Sequence, residues 1–237
     1  MKREILERTE FDLGTLPESV PTKENDEPLV ALVASDRLAM RPVWVEHPKS
    51  IEGKLYNDYI KMHPNYDGIY LRKTVAAMLE SAALKLPRAW QLVVVAGHRP
   101  LQVQQALYDR VFNQFTAKYP DLSPDEIGTM TRLYVSDPTR KPSPHCCGSA
   151  VDIDAIDVET GRSIDFGTII NTSSKRSHIH DPHISEQARA NRMLLLEAMI
   201  EAGFSSLHSE WWHFSYGDQN WAAFYELPSA IYGVKEV

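Results

Sequence analysis

The sequence predicts an α+β domain with a small central antiparallel sheet, flanking helices and an extended N-terminal arm. Two observations favour this class. Short β-branched or alternating runs, typical of strands, occur between segments with the apolar periodicity of helices. These segments lack the regular spacing of βαβ units, which argues against a doubly wound parallel sheet. We expect one domain over residues 1–237, with residues 1–70 forming the arm that packs on the rest.

The individual elements follow from local patterns. Residues 1–50 are rich in proline and hold few periodic runs, so only a short strand near 29–33 is expected there. Ser123, Pro124 and Glu126 form a capping box with proline at the first helical position. Gly203 follows a long periodic segment and suits a helix C-terminus. The predicted helices are 72–86, a helix from Pro100 to about 118, a helix starting at 123, and 185–202; the predicted strands are 91–96, 150–156 and 210–216.

Composition excludes several classes of function. The chain has 237 residues, 43% of them hydrophobic, and a formal net charge of −7 without a basic block. Nucleic acid and an anionic membrane are therefore not expected as partners. The first twenty residues lack the apolar core of a signal peptide, and no run approaches the ~18 apolar residues that span a bilayer. Cys146 and Cys147 are adjacent and form no disulfide framework, so we expect a cytoplasmic protein.

Two short segments contain a candidate metal site. SPHCCGSAVD (143–152) supplies His145 and Asp152, and EWWH (210–213) supplies His213 and Glu210. Catalytic zinc takes three protein ligands and keeps a position for water, and two histidines with one aspartate meet that count. Glu210 is then left as a general base. An ideal strand would point Glu210 and His213 to opposite faces, so this interpretation requires a bulge or bend between them.

Two further features remain open from the residues alone. Arg99, in GHRP at the end of a buried strand, could stabilise negative charge on a substrate carbonyl; the alternative is a surface arginine paired with an acidic neighbour. His178, His180 and His183 form a rival metal cluster within six residues. That cluster lies in a polar loop without a partner carboxylate that could act as a base.

Three motifs resemble a known family. SPHCCGSAVD resembles the S-x-H-x-x-G-x-A-x-D motif of the VanX-type D-alanyl-D-alanine dipeptidases, EWWH their E-x-W-H, and GHRP their G-Y-R-P; the tract from RSH to Phe204 is also similar. The resemblance covers about residues 72 to 214. Its wider group includes D,D-carboxypeptidases and relatives of the hedgehog signalling domain.

The resemblance implies an α+β fold, one zinc ion and a small peptide substrate containing D-alanine. It implies the following roles: His145, Asp152 and His213 as zinc ligands, Glu210 as general base, Arg99 as transition-state stabiliser and Ser143 as a substrate contact.

The sequence departs from the family pattern at two positions. In DFGTIIN (165–171), Asn171 stands where the family has an aspartate that pairs with the substrate ammonium, and a neutral amide supplies no charge there. His98 replaces the tyrosine beside the arginine. The first hypothesis is hydrolysis of D-Ala-D-Ala. The alternative is a D,D- or L,D-carboxypeptidase on longer cell-wall peptides; a non-catalytic zinc-binding module is less favoured, because it would need neither Glu210 nor Arg99.

Overall fold

The computed structural model describes residues 2–9 and 15–237. Within them, the helices are α1 (Lys2–Leu6), α2 (Val43–Glu46), α3 (Ile51–Met62), α4 (Lys73–Lys85), α5 (Leu101–Lys118), α6 (Pro124–Arg132), α7 (Glu186–Ala202) and α8 (Gln219–Phe224). The strands are β1 (Leu29–Ala31), β2 (Leu38–Met40), β3 (Tyr70–Arg72), β4 (Trp90–Ala96), β5 (Ala150–Asp157), β6 (Ser205–Leu207) and β7 (Glu210–Ser215). Residues 1 and 10–14 of the predicted arm lie outside the described part.

The main sheet has five strands in the order β2-β4-β5-β7-β6. Neighbouring strands from β4 to β6 are antiparallel, which confirms the predicted α+β class with a small antiparallel sheet. Only β2 runs parallel to its neighbour β4. Strand β2 comes from the segment predicted as an extended arm, so this segment also completes an edge of the sheet. Strands β1 and β3 form a separate antiparallel ribbon.

Most predicted elements agree with the structure to within a few residues. Ser123 and Glu126 form the predicted capping box of α6. Ser185 caps α7 through the amide of Ala188, and Gly203 ends this helix in the left-handed conformation at φ 101°. Helix α3 was not predicted from the sequence; it lies within the segment assigned to the arm and is capped by Ser50. This helix is important for the site described below.

The central strand β5 has two chemically different faces. Val151 and Ile153 are fully buried in the main hydrophobic core, together with Leu79 of α4 and Leu195 of α7. Side chains alternate along a strand, so Asp152 lies on the opposite face of the sheet from Val151 and Ile153. Helices α4 and α7 pack against each other. The core therefore supports one face of β5 and leaves the other for polar groups.

A buried arginine fastens the loop before β5 to distant segments. The Arg72 guanidinium donates to the Cys147 carbonyl at 2.8 Å, to both carboxylate oxygens of Glu24 at 2.9 Å and to the Gly233 carbonyl at 2.9 Å. Its cation lies 4.8 Å from the centre of the Tyr232 ring. One side chain thus joins the segment near residue 24, the loop at 147 and the segment near 233.

The segment 230–237 is held along much of its length. Thr22 pairs with Ala230 in a parallel bridge, and the Lys235 amide donates to the Cys146 carbonyl at 3.0 Å. The Lys235 carbonyl accepts from Nε2 of His98 at 2.7 Å. Across the described residues, no helix combines the length and apolar character needed to cross a bilayer.

Candidate active site

Three residues of the two predicted motifs meet on the polar face of the sheet. Asp152 of β5 and His213 of β7 are register partners, and His145 belongs to a short 3-10 helix, Pro144–Cys147, just before β5. One ligand atom of each lies within 4.8 Å of the others, and all three residues are buried. Among the described residues, this is the one group of three or more His, Cys, Asp or Glu side chains with such spacing.

The distances within this group suit a bound metal ion. Nε2 of His145 lies 3.4 Å from Oδ2 of Asp152, and Nδ1 of His213 lies 3.0 Å from Oδ1 of Asp152. Tetrahedral zinc with bonds of ~2.0–2.1 Å places its ligand atoms about 3.3 Å apart. Two imidazoles and one carboxylate are also the donor types that zinc prefers in catalytic sites. The residues present therefore fit a metal ion.

The tautomer of His145 also fits metal binding. Its Nδ1 lies 2.7 Å from the carbonyl oxygen of Gly97, so Nδ1 carries the proton and donates it. Nε2 then presents a lone pair toward Asp152 and His213. Hydrogen bonding of the second ring nitrogen to a carbonyl is the usual way in which proteins orient a metal-binding histidine.

The charges within the cluster stabilise the aspartate anion. Burial alone would raise the pKa of Asp152, but His145 and His213 outweigh it and hold this pKa well below its usual range. For His213, burial acts downward, and its hydrogen bond to Asp152 more than compensates, so the pKa of His213 is raised. The Asp152 carboxylate is thus held as an anion between the two imidazoles.

The turn between His145 and Asp152 depends on one glycine. Gly148 has φ 66°, a conformation that residues with a Cβ rarely adopt. A Cβ there would lie 2.2 Å from Cδ2 of Leu29. Cys146 and Cys147 are buried free thiols. Burial raises the pKa of Cys146 to about 11, so neither geometry nor ionisation favours a thiolate ligand at this turn.

Strand β7 contains the irregularity that the EWWH motif requires. Ser206 of β6 pairs with Phe214, whereas the next residue, Leu207, pairs with Glu210. Residues 211–213 therefore bulge relative to β6, and Glu210 is released from strict alternation with His213. Burial raises the pKa of Glu210, and among the surrounding charges His213 lowers it most while Asp152 raises it. These electrostatic effects indicate that the Glu210 carboxylate lies near the metal cluster.

Arg99 is not a surface arginine. It is buried, and its Nη2 pairs with Oε1 of Glu52 at 2.5 Å while Nη1 donates to Oε1 of Gln104 at 2.8 Å. Its backbone amide donates to the His145 carbonyl at 3.0 Å. Burial alone would lower the pKa of Arg99, but the charge of Glu52 raises it above its ordinary value. The paired, acidic neighbour foreseen by the surface alternative therefore exists, but inside the protein.

The third nitrogen of the Arg99 guanidinium, Nε, differs from the two terminal nitrogens. It is buried and finds no hydrogen-bond partner within residues 2–9 and 15–237. Unpaired buried donors are rare in folded proteins and are often found at functional sites. The charge of Arg99 acts on both Glu210 and Asp152. Glu52 and Gln104 thus hold the two terminal nitrogens, and Nε is left without a partner among the described residues.

Neither Glu52 nor Gln104 was among the site residues predicted from the sequence. Gln104 lies five residues after Arg99 at the start of α5, a spacing that could have suggested a contact. Glu52 lies 47 residues before Arg99 on α3, and no local pattern indicates this pairing.

The two predicted substrate contacts lie in different settings. Ser143 is buried directly before the 3-10 helix that carries His145, and its carbonyl accepts from the Cys146 amide at 2.8 Å. Asn171 is exposed and adopts φ 59° in the loop between β5 and α7. Within the described residues, no hydrogen bond or ion pair joins Asn171 to the metal cluster. Its link to the site is indirect: Thr168 in the same loop accepts from Nε1 of Trp211 at 2.9 Å.

The rival histidine cluster has other contacts. Nε2 of His180 lies 2.9 Å from the Leu6 carbonyl, and exposed His183 lies 3.5 Å from Asp181. The rings of His178 and His208 are 5.2 Å apart. None of these side chains belongs to the metal-capable group found among the described residues.

Comparison with known proteins decides the family. The peptidase M15 family, described as D-ala-D-ala dipeptidase, matches residues 61–231. The chain belongs to this family. It is accordingly a metallopeptidase, which agrees with the prediction from the three motifs.

Individual relatives are similar over much of the chain. The D-alanyl-D-alanine dipeptidase of Synechocystis sp. is 28% identical over 231 residues, which cover 86% of this chain and 87% of the relative. The D-alanyl-D-alanine dipeptidase of Escherichia coli (strain K12) is 31% identical over 143 residues, or 60% of this chain and 64% of the relative. Among solved structures, the LdcB LD-carboxypeptidase aligns with 90% of this chain and 85% of its own at 15% identity and a TM-score of 0.44.

Proposed function

We propose that the chain hydrolyses the peptide bond of D-Ala-D-Ala, or of a related D-amino-acid dipeptide, with one zinc ion held by His145, Asp152 and His213. The buried His–Asp–His group, whose ligand atoms lie within 4.8 Å of one another, carries this proposal. Support also comes from the family and from relatives named D-alanyl-D-alanine dipeptidases. When bound, zinc supplies a Lewis acid that polarises a carbonyl and lowers the pKa of coordinated water.

Glu210 is the proposed general base. Its carboxylate takes a proton from the attacking water and delivers it to the departing amine. Burial raises the pKa of Glu210, which makes the carboxylate a stronger base, while the positive charges of His213, His145 and Arg99 oppose this rise. The bulge in β7 allows the side chains of Glu210 and His213 to face the same site, although they are three residues apart.

Arg99 is the proposed group that stabilises charge on the substrate oxygen. Glu52 and Gln104 fix its terminal nitrogens, and its buried Nε–H has no partner among the described residues that would compete for it. A donor held in advance in a buried, low-dielectric site stabilises developing charge better than one that must reorient. Ser143, two residues before His145 in the loop that leads into β5, is proposed to contact the substrate.

Asn171 favours a second candidate function. An aspartate at this position would attract a free substrate ammonium, whereas the Asn171 amide offers it only a neutral acceptor oxygen and is solvent-exposed. A D,D- or L,D-carboxypeptidase acting on longer cell-wall peptides does not require a terminal ammonium. Turnover of D-Ala-D-Ala beside N-acetyl-D-Ala-D-Ala separates the two. Equal or faster cleavage of the acetylated peptide would replace the dipeptidase proposal with the carboxypeptidase.

The mechanism is tested with Glu210→Gln. We expect hydrolysis to fall about 10²- to 10⁴-fold, because general-base catalysis contributes that much. Zinc content after dialysis should stay at one ion per chain, because Glu210 is not a ligand. Glu159→Gln, an exposed glutamate in the turn after β5, is the matched control and should behave as wild type. Full activity of Glu210→Gln would contradict the mechanism, and a zinc-loaded wild type inactive on both peptides would favour a non-catalytic zinc module.

We also propose a cytoplasmic location. Both cysteines of the chain are free thiols, as is usual in a reducing compartment. Fractionation of the native host with a periplasmic marker tests this location, and recovery outside the cytoplasmic fraction would contradict it.

A further inference from the structure

A small cavity lies beside the metal ligand His213. Its volume is about 130 Å³. Strands β6 and β7 line one side, and Asn220 and Phe224 of α8 line another. Lys141, from the loop that leads to the metal motif, also lines it. The cavity therefore extends from a proposed zinc ligand to a cationic side chain.

Lys141 has an unusual environment for a lysine. It is half-buried, and its Nζ donates to Oδ1 of Asn220 at 2.8 Å. No ion pair within 4.0 Å includes Lys141 in the portion of the chain that the structure describes. Asp218, the acidic neighbour that most favours its charge, is instead occupied by Ser149 and by the first amides of α8. Burial lowers the pKa of Lys141, which indicates an ammonium that has lost hydration without gaining a carboxylate.

The other lining residues define which ligand the cavity fits. Leu207, Phe224 and Pro17 provide apolar surface, and Ser205 and Ser215 add hydroxyl groups to the lining. A small amino acid with one methyl group and a carboxylate matches this distribution. The methyl group would contact the apolar residues, and the carboxylate would satisfy the ammonium.

We propose that Lys141 binds the free C-terminal carboxylate of the peptide substrate, with the departing residue seated in this cavity beside His213. This inference rests on the proposed function and adds a specificity determinant to it. A lysine that binds the carboxyl end of the substrate explains how the enzyme selects the terminal residue. The uncharged Asn171 leaves the amino end of the substrate less constrained. Lys141 selects peptides that end in a free carboxylate.

The experiment compares D-Ala-D-Ala with its C-terminal amide in wild type and in Lys141→Met. Methionine is unbranched and one heavy atom shorter than lysine, and it removes the charge. In the wild type we expect kcat/KM to be about 10- to 100-fold lower for the amide, the ratio that a charged hydrogen bond provides. In Lys141→Met, kcat/KM for the acid should fall to the level of the amide. The ratio is measured within each variant, so partial unfolding does not affect it.

Arg140→Met is the matched control. Arg140 is the adjacent, exposed cation on the same loop and does not line this cavity, so the wild-type ratio should persist. A Lys141→Met enzyme that still discriminates acid from amide as the wild type does would overturn the proposal. If the wild type hydrolyses neither substrate, this result contradicts the proposed dipeptidase function but does not test the role of Lys141. Calorimetric titration of wild type and Lys141→Met with both peptides then decides this role, and equal acid affinity in the two proteins would overturn it.

Discussion

The buried ion pair between Glu52 and Arg99 provides the sharpest test of the site architecture. Oε1 of Glu52 and Nη2 of Arg99 are 2.5 Å apart, and the two side chains are 16% and 10% exposed. Removing one partner of a buried pair typically costs about 3–5 kcal/mol, because the other charge is left without compensation. Glu52→Ala should therefore destabilise the protein by about 3–5 kcal/mol. Glu52→Gln keeps an acceptor and should cost about half as much.

Activity should change in parallel, for a separate reason. Without Glu52 the guanidinium loses its carboxylate partner and keeps its hydrogen bond to Gln104, so its orientation is less fixed. We expect kcat to fall by about 10²-fold in Glu52→Ala, near the lower end of losses after removal of an oxyanion donor. Zinc content should not change, because Glu52 contacts none of the three proposed ligands.

Urea denaturation and steady-state kinetics measure the two effects. Glu46→Gln is the control: Glu46 is exposed at the end of α2, and its replacement should change stability by less than about 0.5 kcal/mol. Glu52→Ala with wild-type kcat would refute the positioning of Arg99 by α3. A stability change below about 1 kcal/mol would refute the energetic argument.

Two further predictions concern pH and the metal loop. Burial lowers the pKa of His98 from 6.5 to about 4. Between these pH values the unfolded chain binds a proton at His98 and the folded chain does not. The free energy of unfolding should therefore fall by about 3 kcal/mol as pH drops from 6.5 to 4. Urea midpoints across this range should show a flatter profile for His98→Gln, and identical profiles would contradict the assignment. Gly148→Ala should cost about 1–3 kcal/mol from its positive φ and its clash with Leu29. Gly161 has φ 68° and open space around it, so Gly161→Ala should lose only the stability that the backbone conformation costs. Equal losses of stability in the two variants would contradict a clash with Leu29.

The sequence allowed the members of the metal-capable group to be predicted, because each motif is local. His145 and Asp152 are separated by one glycine-dependent turn, and Glu210 and His213 by two residues. The requirement for a bulge in β7 also followed from residue spacing, since a base and a ligand three positions apart cannot share a face of a regular strand.

Other features depend on contacts between distant segments and were not predictable. Glu52 reaches Arg99 across 47 residues, and no periodicity records that pairing. Strands β2 and β6 have three residues each, too few to show alternation. Helix α3 was missed because its apolar residues, such as Tyr56 and Tyr59, are mixed with charged ones in a segment assigned to the arm.

The contacts of Arg72 and Lys235 have a consequence for the order in which we expect the site to assemble. Arg72 joins Glu24 to Gly233, and the Lys235 amide binds the carbonyl of Cys146, next to His145. During synthesis, the loop with His145 emerges from the ribosome about 90 residues before Lys235 does. The nascent chain therefore contains His145 and Asp152 before the segment 230–237, which fixes their loop, has been synthesised. We expect the loop to reach its final geometry as one of the last events of folding, after these contacts of high sequence separation have closed.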